Sequence, residues 1–463
     1  MTDDTDDRER ELREPVLERV FPHDAHRGTD GAVCIAGHDL RDVARVWGTP
    51  AYLVDEADVR RRAGEFRDAF HDAFEAIGTR ADVYYAGKAF LCTAVARLLQ
   101  EEGLRLDVCS GGELAVAQRA LVPGDRIAMH GNNKSVREIE SALDAGIGRI
   151  IVDSFEEIDR VADAARERSV VAQVMLRVKT GVEAHTHEFI ATAHEDQKFG
   201  FSLSDGENSQ VGDAVRRVLD APDALHLLGF HSHIGSQIFE SDGFREAAQR
   251  LIALQLSVAS DHGVELPELD LGGGFGIAYL PTDEPLAPRQ MATQLASIVQ
   301  DACRSAGTPL PRVSVEPGRS IVGPTGVTLY EVGTVKQVRV SDEVVRSYVA
   351  VDGGMSDNPR PVLYDADYTC VLANRSSDAQ PVQTRVVGKH CESGDIVVRD
   401  VQLPGDITAG DLLAVPATGA YCRSLASQYN HVPRPPVLAL RAGAIDVWLR
   451  RETLDDLLAL EGE

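Results

Sequence analysis

From Val83 onward, short and nearly continuous apolar runs alternate with longer stretches whose apolar positions recur at helical spacing. Val83–Ala86, Leu106–Cys109, Arg126–His130, Arg149–Val152, Ala172–Val178, Leu225–His231, Glu268–Gly272 and Arg312–Glu316 read as strands. Asp58–Phe74, Gly112–Ala120, Ser135–Ala145, Phe155–Arg168 and Phe244–Ser260 read as amphipathic helices. Strands apolar on both faces and separated by helices belong to a parallel sheet covered on both sides. Eight such units in about 235 residues predict a (β/α)8 TIM-like barrel, with a doubly wound open sheet as the alternative on pattern alone.

The pattern changes after about residue 325. Val327–Val340, Tyr348–Val351, Gln383–Gly388, Ile396–Val401 and Leu412–Val415 are valine-rich runs separated by Gly, Pro and Asp turns, and long helical periodicities stop. This predicts a C-terminal all-β domain of the sandwich or barrel kind. Ala51–Val54 is a further β-like run that can join it from the other end of the chain. The expected organisation is a loose tail over residues 1–15 and a segment over 16–55 contributing to the β domain. The barrel is expected over 56–325 and the β domain over 326–463.

Composition narrows the class of partner. The 463 residues include 73 Asp and Glu against 47 basic residues, for a formal net charge of -26. Such a field repels nucleic acid and anionic membranes, so neither is expected as a partner. No apolar stretch reaches bilayer length. The start, MTDDTDDRERELREP, lacks the basic end and apolar run of a signal peptide. Seven scattered Cys without a CxxC argue against a disulfide framework or a structural zinc site. A cytoplasmic location is expected.

Chemistry-bearing residues gather at the ends of the expected barrel strands, the end of the fold where such barrels place their sites. Lys88, one of only six lysines, follows the first strand in Tyr85-Ala-Gly-Lys88-Ala-Phe90. Partial desolvation there would lower an amine pKa and allow Schiff-base chemistry; a salt-bridged lysine is the plainer reading. The run Gly272-Gly-Gly-Phe-Gly276 follows the seventh strand, where clustered backbone N–H groups can cradle a phosphate or simply make a tight turn. The eighth strand ends in Glu316-Pro-Gly318-Arg319, and a carboxylate there can hold a cofactor ring nitrogen protonated. The sixth strand ends in His231-Ser-His233-Ile-Gly-Ser236. Its HxH pair has no partner of ligand spacing, so no metal is expected, and an imidazole stacked on a cofactor ring is the better use. Asp107, Ser110 and Glu113 close the second strand, Asp107 serving equally well as a structural anchor. The β region adds Asp352-Gly-Gly-Met-Ser-Asp-Asn-Pro-Arg360-Pro-Val-Leu-Tyr364, the turn Cys391-Glu392-Ser-Gly-Asp395, and Tyr421. The Cys391 thiol can deliver a proton or be an inert loop cysteine.

From about residue 50 to 440 these motifs resemble the fold-type III pyridoxal-phosphate decarboxylases, most closely those acting on diaminopimelate. The resemblance implies pyridoxal 5'-phosphate as cofactor, with Lys88 forming the Schiff base. It implies that His233 stacks on the ring, Glu316 pairs with its nitrogen, and Asp107 lies beside the cofactor. Gly273, Gly274, Gly276, Gly318 and Ser236 would hold the phosphate with Tyr421. Arg319, Arg360 and Tyr364 match substrate-binding residues, Arg319 and Tyr421 serving both cofactor and substrate. Cys391 and Glu392 match residues supplied across a homodimer with shared active sites. Gly87 and Phe90 depart from the family's commoner valine and asparagine and affect the packing around Lys88.

The implied reaction is decarboxylation of meso-2,6-diaminopimelate to L-lysine and CO2. Related decarboxylases of ornithine, arginine or carboxynorspermidine need an acidic group for a distal amine and have no distal carboxylate to bind. Here Arg319 and Arg360 suit a carboxylate and Glu392 an amine. A racemase would keep a tyrosine base opposite the lysine, and a non-catalytic homologue would have lost Lys88 or Cys391.

Overall fold

The computed structural model describes residues 15–182, 197–203, 209–341 and 345–462. Residues 1–14 of the expected tail lie outside them. The chain forms two compact units. One is built from Arg62–Gly276 and Pro285–Gly318. The other takes the chain up to Arg61, Ile277–Glu284 and Arg319–Glu463. Ile277–Glu284 therefore lies with the β-rich unit, although the chain on either side of it is barrel.

The first unit is a closed barrel of eight parallel strands. Ala81–Ala86, Arg105–Val108, Ile127–Met129, Arg149–Val152, Ala172–Lys179, Leu225–His231, Glu268–Asp270 and Arg312–Val315 pair in that order, and the last returns to the first. All eight match the apolar runs of the sequence, so the open-sheet alternative falls. The helices are held by local chemistry: Ser110, Ser135 and Ser154 each cap one through the side-chain oxygen. At Ser135, Glu138 completes a capping box. Helices at Thr93–Glu101, Gln210–Leu219 and Pro288–Ala306 add to those expected.

The barrel interior is not wholly apolar. Arg149 donates to the Tyr84 hydroxyl (2.5 Å) and to Ser314 Oγ (3.2 Å). It also lies 3.2 Å from Glu268 and 3.6 Å from Asp270. A buried guanidinium thus ties the fourth strand to the first, seventh and eighth, with its charge compensated as burial requires.

In the second unit, nine strands form one sheet system. Ala51–Asp55 lies inside it, antiparallel to Gly326–Arg339 and parallel to Val437–Arg441. Apolar side chains from both chain ends, including Leu17, Leu40, Leu53, Leu329, Ala414 and Leu438, pack in one core. Burial of these residues, remote in sequence, is what joins the two termini into a single unit.

Candidate active site

Lys88 lies on a 3-10 turn, Gly87–Ala89, directly after the first strand. Its flanking aromatics pack inward instead of covering it: Tyr85 is fully buried and donates to the Phe90 carbonyl (2.6 Å). The Lys88 side chain is exposed in the single chain, so the desolvation expected from those neighbours is not supplied by them. Its charge still acts on Asp107, Glu113 and His233. Gly318 packs on this turn: a Cβ there would lie 2.9 Å from the Ala86 Cβ and carbonyl oxygen.

Glu316 leaves the eighth strand between two imidazoles. His130 Nε2 is 3.0 Å from one carboxylate oxygen and His231 Nε2 is 3.3 Å from the other. Burial alone would push the Glu316 carboxyl up. The facing imidazoles outweigh it, His231 through its Nε2 hydrogen bond and neutral His130 through its ring dipole, and hold the group well below the usual carboxylate range. Burial drives His130 down to about 3, so it is neutral at physiological pH. Asp107, 3.5 Å from His130, is pushed well up by burial and by the Glu316 charge. Ser110 and Glu113 have local duties: Ser110 Oγ accepts the Glu113 N–H, and Glu113 accepts the Cys109 N–H.

His231 and His233 do not act together. His231 turns to Glu316, whereas His233 Nδ1 accepts the Gly273 N–H (3.1 Å). Burial and the nearby Lys88 charge push His233 well below its usual range, leaving a neutral, flat ring. Donor atoms of His130, His231 and Glu316 lie within 4.8 Å of one another. The carboxylate missing near the HxH pair in sequence is therefore present in space, close enough to serve a metal ion as well as a protonated ring nitrogen.

The glycine run is a close-packed turn. Gly272 and Gly274 have φ of 68° and 101°, in the region that excludes most side chains. A Cβ on Gly273 would meet the Glu316 carbonyl oxygen at 2.2 Å, and one on Gly274 the Gly235 carbonyl oxygen at 2.3 Å. A Cβ on Gly276 would meet the Phe239 ring at 2.3 Å. Asp270 secures the start of the run by accepting the Gly272 N–H (2.9 Å). Ser236 lies on the facing segment, which pairs with the run through Ile238 and Phe275.

In the β-rich unit, Arg319 and Arg360 are both buried and converge on aromatic rings. Arg319 donates to the Tyr279 hydroxyl (2.5 Å) and lies 4.6 Å from the Tyr421 ring centroid. Arg360 donates to the Tyr368 hydroxyl (2.5 Å) and lies 4.5 Å from the Tyr279 centroid. Tyr421 adopts φ of 65°, unusual for a non-glycine residue. Tyr364 is on the surface of the short Arg360–Tyr364 helix. Cys391 and Glu392 are exposed. Their turn is anchored by Asp395, whose carboxylate accepts the Met355 N–H (2.6 Å) and the His390 N–H (2.7 Å).

Residues that the strand-end reading passed over are His130, Tyr279 and Tyr368. His130 directly follows the third strand, just before Gly131, a position that could have marked it. Tyr279 and Tyr368 carry no local signal.

The residues fit pyridoxal phosphate. Glu316 Oε1, His130 Nε2 and His231 Nδ1 are buried atoms without a completed hydrogen bond, so a ring N–H can be received at the carboxylate. The close-packed glycines offer backbone, not side chains, and would hold a phosphate through it. This constellation on a (β/α)8 barrel defines the class: a pyridoxal-phosphate-dependent enzyme of the fold-type III kind.

The comparisons agree. The family model described as "Pyridoxal-dependent decarboxylase, pyridoxal binding domain" matches residues 56–323. A diaminopimelate decarboxylase of Mycobacterium tuberculosis is 54% identical over 446 residues, 96% of this chain and 97% of its own length. That of Bacillus subtilis is 43% identical, covering 96% of this chain and 98% of its own. The solved diaminopimelate decarboxylase of M. jannaschii in complex with L-lysine superposes with a TM-score of 0.87 at 30% identity, covering 95% of this chain and 98% of that one. The chain belongs to the diaminopimelate decarboxylases.

Proposed function

We infer that the protein decarboxylates meso-2,6-diaminopimelate to L-lysine and CO2, the final step of lysine formation by that route. The observation that carries this reading is that one chain holds both the Glu316 site and two buried guanidiniums, Arg319 and Arg360. The first suits a pyridoxal ring. The second suits a carboxylate that the basic monocarboxylic amino acids lack at their distal end.

The residue roles are assigned on that basis. Pyridoxal phosphate, when bound, supplies the electron sink that lets a carboxylate depart as CO2. Lys88 is the amine that attaches it covalently. Glu316 keeps the proton on the ring nitrogen, and the His130 and His231 clamp keeps Glu316 ionised for that task. His233 offers a neutral face to the ring. Asp107 flanks the Glu316 pair. Gly273, Gly274, Gly276 and Gly318, with Ser236 and Tyr421, hold the phosphate. Arg319, Arg360 and Tyr364 orient the distal carboxylate, and Glu392 receives the distal amine. Cys391 or Lys88 returns a proton to the carbon that has lost CO2.

Cys391 and Glu392 are assigned to the site of a second copy, making a homodimer with shared active sites. Their exposure in the single chain supports this, since a proton donor must reach the reacting carbon in a site closed to water. All seven cysteines are free thiols, which supports a reducing cytoplasm. Among the described residues no helix is long and apolar enough to cross a membrane.

The test is CO2 release by the purified, cofactor-loaded protein from the meso, LL and DD isomers of diaminopimelate and from L-lysine, L-ornithine and L-arginine. Release from the meso isomer alone is expected, and release from ornithine but not the meso isomer overturns the substrate. Borohydride reduction and peptide mapping should place the pyridoxyl group on Lys88, and a label on any other lysine removes that role.

A further inference from the structure

Arg319 and Arg360 are 9% and 6% exposed, and both are braced by phenols. Arg360 makes no ion pair among the described residues. One ring serves both guanidiniums: the Tyr279 hydroxyl accepts from Arg319, while its face lies 4.5 Å from the Arg360 guanidinium carbon. Tyr279 is itself held. Its backbone N–H and that of Leu280 both donate to Asp283 (2.9 and 3.0 Å). Its ring meets the Tyr368 ring edge-on at 5.2 Å. Tyr368 in turn accepts from Arg360.

The choice of partner has a chemical consequence. A carboxylate beside the Arg360 guanidinium would fix it but cancel its charge. An aromatic face attracts a cation through its quadrupole without neutralising it, and a phenol oxygen accepts a hydrogen bond while remaining uncharged. The Arg360 charge held this way stays available to an incoming anion.

We propose that Tyr279 is a specificity-determining positioning residue, holding Arg319 and Arg360 as a pair for the carboxylate that the substrate retains. The proposal rests on the assignment of these arginines to the distal carboxylate. The retained group is at the L centre, because the product is L-lysine and the carboxylate lost comes from the D centre. L-Lysine therefore still carries the recognised group, and 1,5-diaminopentane is the same molecule without it. The ratio of their inhibition constants isolates carboxylate recognition from everything else that binds the ligand.

The experiment uses cofactor-loaded wild type, Tyr279→Phe, Tyr279→Leu and Arg360→Ala, each checked for the bound-cofactor absorbance. Tyr279→Phe removes only the hydroxyl bond to Arg319. It should raise KM for the meso substrate on the order of tenfold, with a smaller change in kcat, as expected for loss of a hydrogen bond to a charged group. The L-lysine inhibition constant should rise in parallel while that of 1,5-diaminopentane stays put. Tyr279→Leu, which also removes the face under Arg360, should go further in the same direction. If both Tyr279 variants leave the L-lysine to diaminopentane ratio at its wild-type value while Arg360→Ala collapses it, the arginine reading stands and Tyr279 has no such role. If Tyr279→Phe weakens both ligands equally, the ring is general packing and the proposal is overturned. If Arg360→Ala itself leaves the ratio unchanged, the underlying assignment of the distal carboxylate fails instead. Should Tyr279→Leu not fold, the isosteric Tyr279→Phe decides alone.

Discussion

At the scale of single residues, the clearest physical signature is the neutral imidazole of His130. Its ordinary value is 6.5, and burial drives it down to about 3 in the fold. Between those values the unfolded chain binds a proton that the folded chain does not. Stability from this group is therefore fully present above about pH 6.5 and is lost as pH falls toward 3. Each such proton contributes a slope of about 1.4 kcal/mol per pH unit. His233, also driven down by burial, adds to the slope with the same sign. Replacing His130 with Gln should flatten the dependence of the urea midpoint on pH between about 4.5 and 6.5 by up to one proton's worth; an unchanged slope would mean the imidazole is charged in the fold. His130 also shows where reading a sequence stops. Lys88, His233 and Glu316 could be singled out because strand-end position alone marks them. His130 acquires its meaning from Glu316, 186 positions away in the sequence. Tyr279 likewise depends on Arg360, and no local pattern encodes either contact. The sequence allowed a partly desolvated Lys88, and in the single chain its flanks Tyr85 and Phe90 pack inward and leave it exposed.

At the scale of elements, the eight barrel strands were legible because most of their residues are buried and so read as nearly continuous apolar runs. Their ends shifted by a residue or two, since hydrogen-bond pairing and not hydrophobicity decides where a strand stops. The long strand Gly326–Arg339 was equally visible, but the sheet order placing Ala51–Asp55 between it and Val437–Arg441 was not. Pairing between remote segments depends on closure of the whole core. The glycine run is the element on which the phosphate assignment depends. It combines a positive φ at Gly274 with contact between Gly274 and the Gly235 carbonyl. Gly274→Ala would force a Cβ to 2.3 Å from that oxygen and strain the backbone as well. The run would have to shift, carrying the Gly273 N–H away from His233. The expected result is a rise of at least about tenfold in the dissociation constant for pyridoxal phosphate, read by titrating the cofactor-free protein, with the barrel's circular dichroism retained. Unchanged affinity would detach the run from phosphate binding.

At the scale of the whole molecule, the remaining question is whose site the Cys391 turn serves. The turn is well built: Asp395 ties it to Met355 and His390, and Asn430 Oδ1 accepts the Cys391 N–H (3.3 Å). A rigid turn that leaves a thiol and a carboxylate exposed is poorly explained by stability, because neither side chain contributes to the core. The proposed two-fold assembly would account for it, since each copy would then cover its partner's site and both sites would be equivalent. The prediction is one of complementation. Lys88→Ala and Cys391→Ala homodimers should each be nearly inactive. When the two are mixed under conditions that exchange subunits, a heterodimer pairs the intact Lys88 of one chain with the intact Cys391 of the other. Its second site then carries both defects. Random exchange makes half the dimers mixed and half of their sites whole, so recovered activity should approach about a quarter of wild type. Heterodimers proven by mass but lacking activity would assign Cys391 to its own chain's site. A Cys391→Ala homodimer that turns over at near the wild-type rate would instead make Lys88 the source of the returning proton, and the turn's contribution would then rest on Glu392.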